Sequence, residues 1–262
     1  MKQLIIVFCA MGFGFAATAQ TNAPIAPPPP ATPTETAPAK LPEPLSATTP
    51  DNTRYVNDPG LLAPCQARLD AFSDKPCDII FIGASNIAGW AKAGQAVWDQ
   101  TYAPRHALNF GVEGDKTQNT LWRLNNMDIQ NLKPKVAVIL IGANNIANSS
   151  HEIADGVKAV LANTQAAFPG VKIILVSLLP NERANNTLMQ ANSIIRNYAD
   201  DSTIYYLDLI PFMPPITTPT PDGKTETNWK GLSADRVHAS AEGYQIWAAA
   251  MEPLLLKLLA GG

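Results

Sequence analysis

The chain has 262 residues, 46% of them hydrophobic and 16% charged. That composition suits one packed domain with a tail and excludes disorder throughout. The formal net charge is −3, so no strong single-sign field points to nucleic acid or an anionic membrane as a partner.

The N-terminus reads as an export signal over residues 1–19. Lys2 supplies the positive start, Leu4 to Phe15 the apolar core, and Ala17-Thr18-Ala19 the small-x-small cleavage pattern before Gln20. The apolar run of about 12 residues is short of the ~20 that span a bilayer. A periplasmic or secreted protein is therefore expected, with no integral membrane span after signal removal. Residues 20–50 read as a disordered Pro/Ala/Thr-rich tether, since ten of the 23 prolines lie between Pro24 and Pro50. Such a stretch is extended, of polyproline II character, and has little with which to build a core. Cys65 and Cys77 remain after cleavage. In an oxidising compartment this pair predicts a disulfide that staples the entry to the domain. Neither has a His or further Cys near enough in sequence for a zinc cluster.

The domain is expected from Asp51 to the end. Five apolar runs read as buried strands: Asp78 to Ile82, His106 to Phe110, Val136 to Ile141, Val171 to Ser177 and Thr203 to Leu207. Continuous β-branched runs suit strands covered on both faces, as in a parallel sheet. Helical spacing follows in Ile153 to Phe168, in Leu188 to Tyr198 and in Tyr244 to Leu259. Alternation of strand and helix implies right-handed crossovers and a three-layer α/β/α sandwich around a parallel five-stranded sheet. Functional groups then belong beyond the C-terminal strand ends. The segment Pro211 to Asp235, rich in Pro, Thr and Gly, reads as a long loop beside the site.

The strand ends carry the chemistry. The first ends in Gly83-Ala84-Ser85-Asn86, the second leads to Glu113-Gly114-Asp115, and the third ends in Gly142-Ala143-Asn144-Asn145. A hydroxyl, a glycine N–H and an asparagine amide then share one rim, which is what a serine nucleophile and its oxyanion donors require. Of three histidines, His106 sits in a strand pattern and His151 opens a helix. His238 follows Asp235 by three residues, a spacing that returns the carboxylate to the imidazole. Taken singly, Ser85 also reads as a helix N-cap, Asn144 as a turn residue and Asp235 as a cap. Trp90, Trp98 and Trp122 read as packing residues, whereas Trp229 suits pocket lining and packing equally.

Phe81-Ile82-Gly83-Ala84-Ser85, then Gly114, Asn144 and Asp235-x-x-His238, resemble the four blocks of the SGNH (GDSL-like) hydrolases. Within them the chain is similar to the catalytic subunits of platelet-activating-factor acetylhydrolases and their bacterial esterase relatives. HALNFGVEGDKTQNTLWRL, KPKVAVILIGANN, SLLP and Gly243-Tyr244 carry that similarity over roughly residues 75 to 260. The resemblance implies the flavodoxin-like SGNH fold and a serine esterase without metal or cofactor. It assigns Ser85 as nucleophile, His238 as base and Asp235 as its orienter. The Ser85 and Gly114 N–H groups and the Asn144 amide would hold the oxyanion. Two residues depart from the pattern: Ala84 stands where the family usually has Asp, and Ala143 where Thr is frequent. The expected substrate is a small acyl ester, acetyl foremost, with an O-acetylated glycan preferred. Short-chain lipid esters, thioesters, or glycan or protein binding without catalysis are the alternatives. The sequence sets no oligomeric state.

Overall fold

A computed structural model describes residues 46–261. The expected signal, and all of the expected tether except its last five residues, lie outside them. Of those five, Ala47 is buried and its carbonyl accepts from Thr117 Oγ1 at 2.7 Å. Packing thus begins four residues before Asp51.

Two short N-terminal helices, α1 (Thr53–Asn57) and α2 (Ala63–Asp70), lead into β1 (Ile79–Gly83). After it come single turns α3 (Ser85–Ala88) and α4 (Gln95–Val97), then β2 (Ala107–Gly111), α5 (Thr117–Asn126) and β3 (Val136–Leu140). The chain continues with α6 (Ser150–Ala167), β4 (Lys172–Val176), α7 (Asn185–Ile195) and β5 (Ile204–Leu207). It then forms β6 (Pro215–Pro219), β7 (Thr225–Trp229) and α8 (Ala241–Ala260). All five expected strands are present, with ends shifted by at most one residue. Strands β1 to β5 form one parallel sheet in the order β2-β1-β3-β4-β5. That order reverses at β1, which makes the crevice above β1 and β3 the natural place for a ligand.

Both faces of the sheet are covered, which is why its strands read as unbroken apolar runs. Ile80, Ile82, Leu108, Phe110, Ala137 and Ile139 turn toward the layer of α2, α5, α6 and α7. Ile79, Phe81, Val136 and Val138 turn toward α8 and the segment between α3 and β2. That second layer is aromatic: Trp90 lies 4.5 Å from Tyr244 and 5.3 Å from Trp247, ring centre to centre. Burying each such side chain stabilises the fold by roughly 1.5–3 kcal/mol. Helix α6 starts with the capping box Ser149/Glu152, and Gly170 follows its end with φ 86°.

The stretch read as a loop after Pro211 holds an antiparallel hairpin instead, Pro215 pairing with Trp229 and Pro219 with Thr225. Its strands are Thr-rich and exposed, and Asp222-Gly223 makes the turn with φ 79° at the glycine. Apart from half-buried Asn228 and Trp229 at its end, the hairpin is exposed and leaves no apolar run for sequence reading to find. The disulfide is corrected as well: Cys65 and Cys77 are both free and buried. Cys77 Sγ donates to the Ile79 carbonyl at 3.4 Å, while Cys65 Sγ lies 3.9 Å from Arg123 Nη1. Burial pushes the Cys77 thiol up to about 12 and raises Cys65 too, so both sit as inert core groups. No helix among the described residues is long and apolar enough to cross a membrane.

Candidate active site

Ser85 is placed by a sharp exit from β1. Gly83 has room for no side chain, since a Cβ there would stand 2.0 Å from the Leu140 carbonyl oxygen of β3. The strands therefore meet closely, and Ala84 turns the chain so that Ser85 opens α3. Across the crevice, Asp235 and His238 follow the hairpin. His238 Nε2 lies 3.0 Å from Ser85 Oγ, and His238 Nδ1 lies 2.6 Å from Asp235 Oδ2. The other Asp235 oxygen accepts from Ser233 Oγ at 2.7 Å, Val237 N–H at 2.9 Å and His238 N–H at 3.0 Å. Burial pushes this carboxyl up, but the bonds from His238, Ser233 and the two backbone N–H groups outweigh it. Asp235 is held well below the usual carboxylate range.

The donor side is built from the loops after β2 and β3. Gly114 has φ 73°, a conformation that glycine adopts without strain. The Asn144 Nδ2 donates to the Asp115 carbonyl at 2.9 Å, which leaves its second hydrogen free. Neither the Ser85 nor the Gly114 N–H is taken by a backbone acceptor among the described residues. Ser85, Gly114, Asn144 and His238 all line one cleft of about 450 Å³. Its lining includes the small residues Gly89, Ala93 and Ala239, the ring of Tyr244, and the charged side chains of Lys92, Glu113 and Arg183. Lys92 pairs with Glu113. Among the described residues no three His, Cys, Asp or Glu side chains group as metal ligands.

The structure thus brings together all five residues singled out from the sequence. The other histidines lie apart: His106 pairs with Asp78 at 2.7 Å, and His151 is exposed on α6. Trp229 packs against the aromatic core and does not line the cleft. Several supporting residues carry no local signal in the sequence. Arg123, fully buried, donates from Nη2 to the Gly83 carbonyl at 3.2 Å and from Nη1 to that of Phe110 at 2.7 Å. Its Nε meets the buried Asp115 at 2.8 Å. The guanidinium therefore braces the strand end that carries Ser85, although Ala84 contributes no carboxylate there. Tyr244 Oη donates to the Asn86 carbonyl at 2.8 Å. Ala84 and Ala143 together line a void of only about 10 Å³ beside Ser85.

Comparison with known proteins bears on the family and the fold. The profile of the GDSL-like lipase/acylhydrolase family matches residues 81–246. Platelet-activating factor acetylhydrolase IB subunit alpha2 of Rattus norvegicus is 39% identical over 120 residues, 46% of this chain and 52% of that protein. The chain thus spans about half the length of the first curated relatives it matches. The rat alpha1 subunit is 31% identical over 192 residues, covering 71% of this chain and 78% of its own. A solved structure from Bacteroides fragilis, described as an acylhydrolase, shares the fold with a TM-score of 0.57 at 19% identity. It covers 74% of this chain and 96% of its own. The chain belongs to the GDSL-like lipase/acylhydrolase family, a family of ester hydrolases, and has the SGNH hydrolase fold.

Proposed function

We propose that this protein is a serine carboxylic ester hydrolase for small acyl groups, acetyl foremost, borne on a polar alcohol such as an O-acetylated carbohydrate. The observation that carries this reading is the continuous chain Ser85 Oγ–His238–Asp235, at 3.0 and 2.6 Å, facing the Gly114 and Asn144 donors across one cleft. In this reading Ser85 Oγ attacks the acyl carbon and its proton passes to His238 Nε2. Asp235, ionised, stabilises the imidazolium through Nδ1–H. The charge that develops on the carbonyl oxygen is met by the Ser85 and Gly114 N–H groups and the Asn144 amide. Collapse breaks the ester bond, and His238 returns the proton to the leaving alcohol. Water, deprotonated by His238, then releases the acid and restores Ser85.

The small lining residues Gly89, Ala93 and Ala239 support a short acyl group, and the charged lining of Lys92, Glu113 and Arg183 supports a polar alcohol. The relatives' name, acetylhydrolase, agrees with acetyl. A second reading, short-chain lipid esters, draws on a neighbouring groove lined by Leu61, Pro64, Ala88, Ala91 and Val112, which meets the cleft at Lys92 and Glu113. Export to the periplasm or medium is part of the proposal and rests on Lys2, the Leu4–Phe15 run and Ala17-Thr18-Ala19.

Hydrolysis of p-nitrophenyl acetate by the wild type and by Ser85→Ala tests the reading. Turnover that falls at least about a thousandfold in the variant is expected. Equal rates in two folded proteins would turn attention to binding without catalysis.

A further inference from the structure

The Gly114 N–H belongs to the peptide unit that also contains the Glu113 carbonyl. Arg54 Nη1, on α1, donates to that carbonyl at 2.7 Å. In a trans peptide the C=O and N–H point in opposite directions, and no described peptide is cis. A guanidinium seated on the Glu113 carbonyl therefore fixes the direction in which the Gly114 N–H points. Arg54 also lies against the back of Gly114, where an added Cβ would stand 2.8 Å from Arg54 Nη2.

Arg54 is itself held in place. Its Nη1 meets Asp115 Oδ1 at 2.6 Å, and the same oxygen accepts from Tyr55 Oη at 2.6 Å. Arg123 takes the second Asp115 oxygen at 2.8 Å. Two guanidiniums thus face one carboxylate, which leaves net positive charge behind the donor loop. One backbone and one side-chain bond tie the segment down: Asp51 N–H donates to the Gln118 carbonyl at 3.0 Å, and Asn119 Nδ2 to the Asp51 carbonyl at 3.0 Å. Arg54 lies outside residues 81–246, the stretch that matches the family.

We propose that Arg54 is a positioning residue of the oxyanion hole. It aims the Glu113–Gly114 peptide at the cleft. Its charge-assisted bond to the carbonyl also draws electron density from that peptide, which makes the N–H a stronger donor. The inference rests on the esterase reading above. Because the bond acts on the oxyanion, its loss is expected in kcat rather than in KM.

The experiment compares wild type, Arg54→Lys and Arg54→Gln in three readouts: kinetics on p-nitrophenyl acetate, the rate of Ser85 labelling by a fluorophosphonate, and thermal melting. Arg54→Gln is expected to lose about tenfold or more in kcat, less than one whole oxyanion donor is worth, with KM within about threefold. Labelling slows in step, since the phosphonyl oxygen occupies the same hole. Arg54→Lys, which keeps the charge but has one donor nitrogen in place of the guanidinium fork, falls between the two. Equal kcat in all three proteins overturns the inference, as does a loss that follows melting temperature rather than charge. A wild type that neither turns over nor labels overturns the esterase reading instead.

Discussion

The Asn86 side chain grips the backbone on both sides of His238. Its Oδ1 accepts from Ala239 N–H at 2.9 Å and its Nδ2 reaches the Val237 carbonyl at 3.4 Å. The residue next to Ser85 thereby sets where the imidazole sits, across 151 to 153 positions of sequence. Proximity of this kind is where a misplacement of about 1 Å costs on the order of 100-fold in rate.

Asn86→Ala removes both grips and leaves the Ala239 N–H, in a buried residue, without its acceptor. The expected cost is about 1–3 kcal/mol of stability and on the order of 10- to 100-fold in kcat. Chemical denaturation together with steady-state kinetics checks both. A variant with unaltered kcat would show that the Asp235 loop holds His238 without Asn86.

Acidification separates the roles of Asp235 and His238. The Asp235 carboxyl is depressed in the folded protein, while an unfolded aspartate titrates near ~3.9. Its stabilising contribution is therefore complete above the unfolded value and is lost as pH falls through the folded one. Asp235 stays ionised through mild acid, so a fall of kcat/KM there does not come from loss of this carboxylate. A pH–rate profile should show one rising single-proton limb and then a plateau. A flat profile from mildly acidic to mildly alkaline pH would contradict His238 as the base.

Arg123 and Asp115 are both fully buried and paired at 2.8 Å. Burial alone would lower the Arg123 pKa, but Asp115 beside it raises it, so the group stays charged. Arg123→Ala strips the second Asp115 oxygen of its guanidinium, leaving Arg54 and Tyr55 on the first, and takes one donor from the Gly83 and Phe110 carbonyls, at a cost of about 3 kcal/mol. Urea unfolding curves measure this. A loss under about 1 kcal/mol, the range of exposed pairs, would mean that water or rearrangement replaces the guanidinium.

The sheet and the clustering of the candidate residues were legible in the sequence for the same physical reason. Ile80 in β1 and Val138 in β3 are buried on a two-faced sheet, so their strands read as continuous apolar runs. Ser85, Gly114 and Asn144 stand at the ends of those runs, where the topology gathers loops. What escaped reading depends on pairings remote in sequence. Arg54 meets Glu113 from 59 positions away, and Arg68 meets the Asn109 carbonyl from 41. Arg123 reads as one more polar helix residue until Asp115 and Gly83 are placed around it. The Cys65–Cys77 bridge failed because spacing carries no direction: one thiol faces Arg123 and the other the Ile79 carbonyl.

The measurement that tests the central claim most directly is covalent labelling of the folded protein with a fluorophosphonate, followed by mapping of the modified residue. An activated serine next to oxyanion donors should take one label, on Ser85, with parallel loss of esterase turnover. The Ser85→Ala and His238→Ala variants should stay unlabelled. A folded wild type that takes no label, or takes it elsewhere, would contradict Ser85 as the nucleophile.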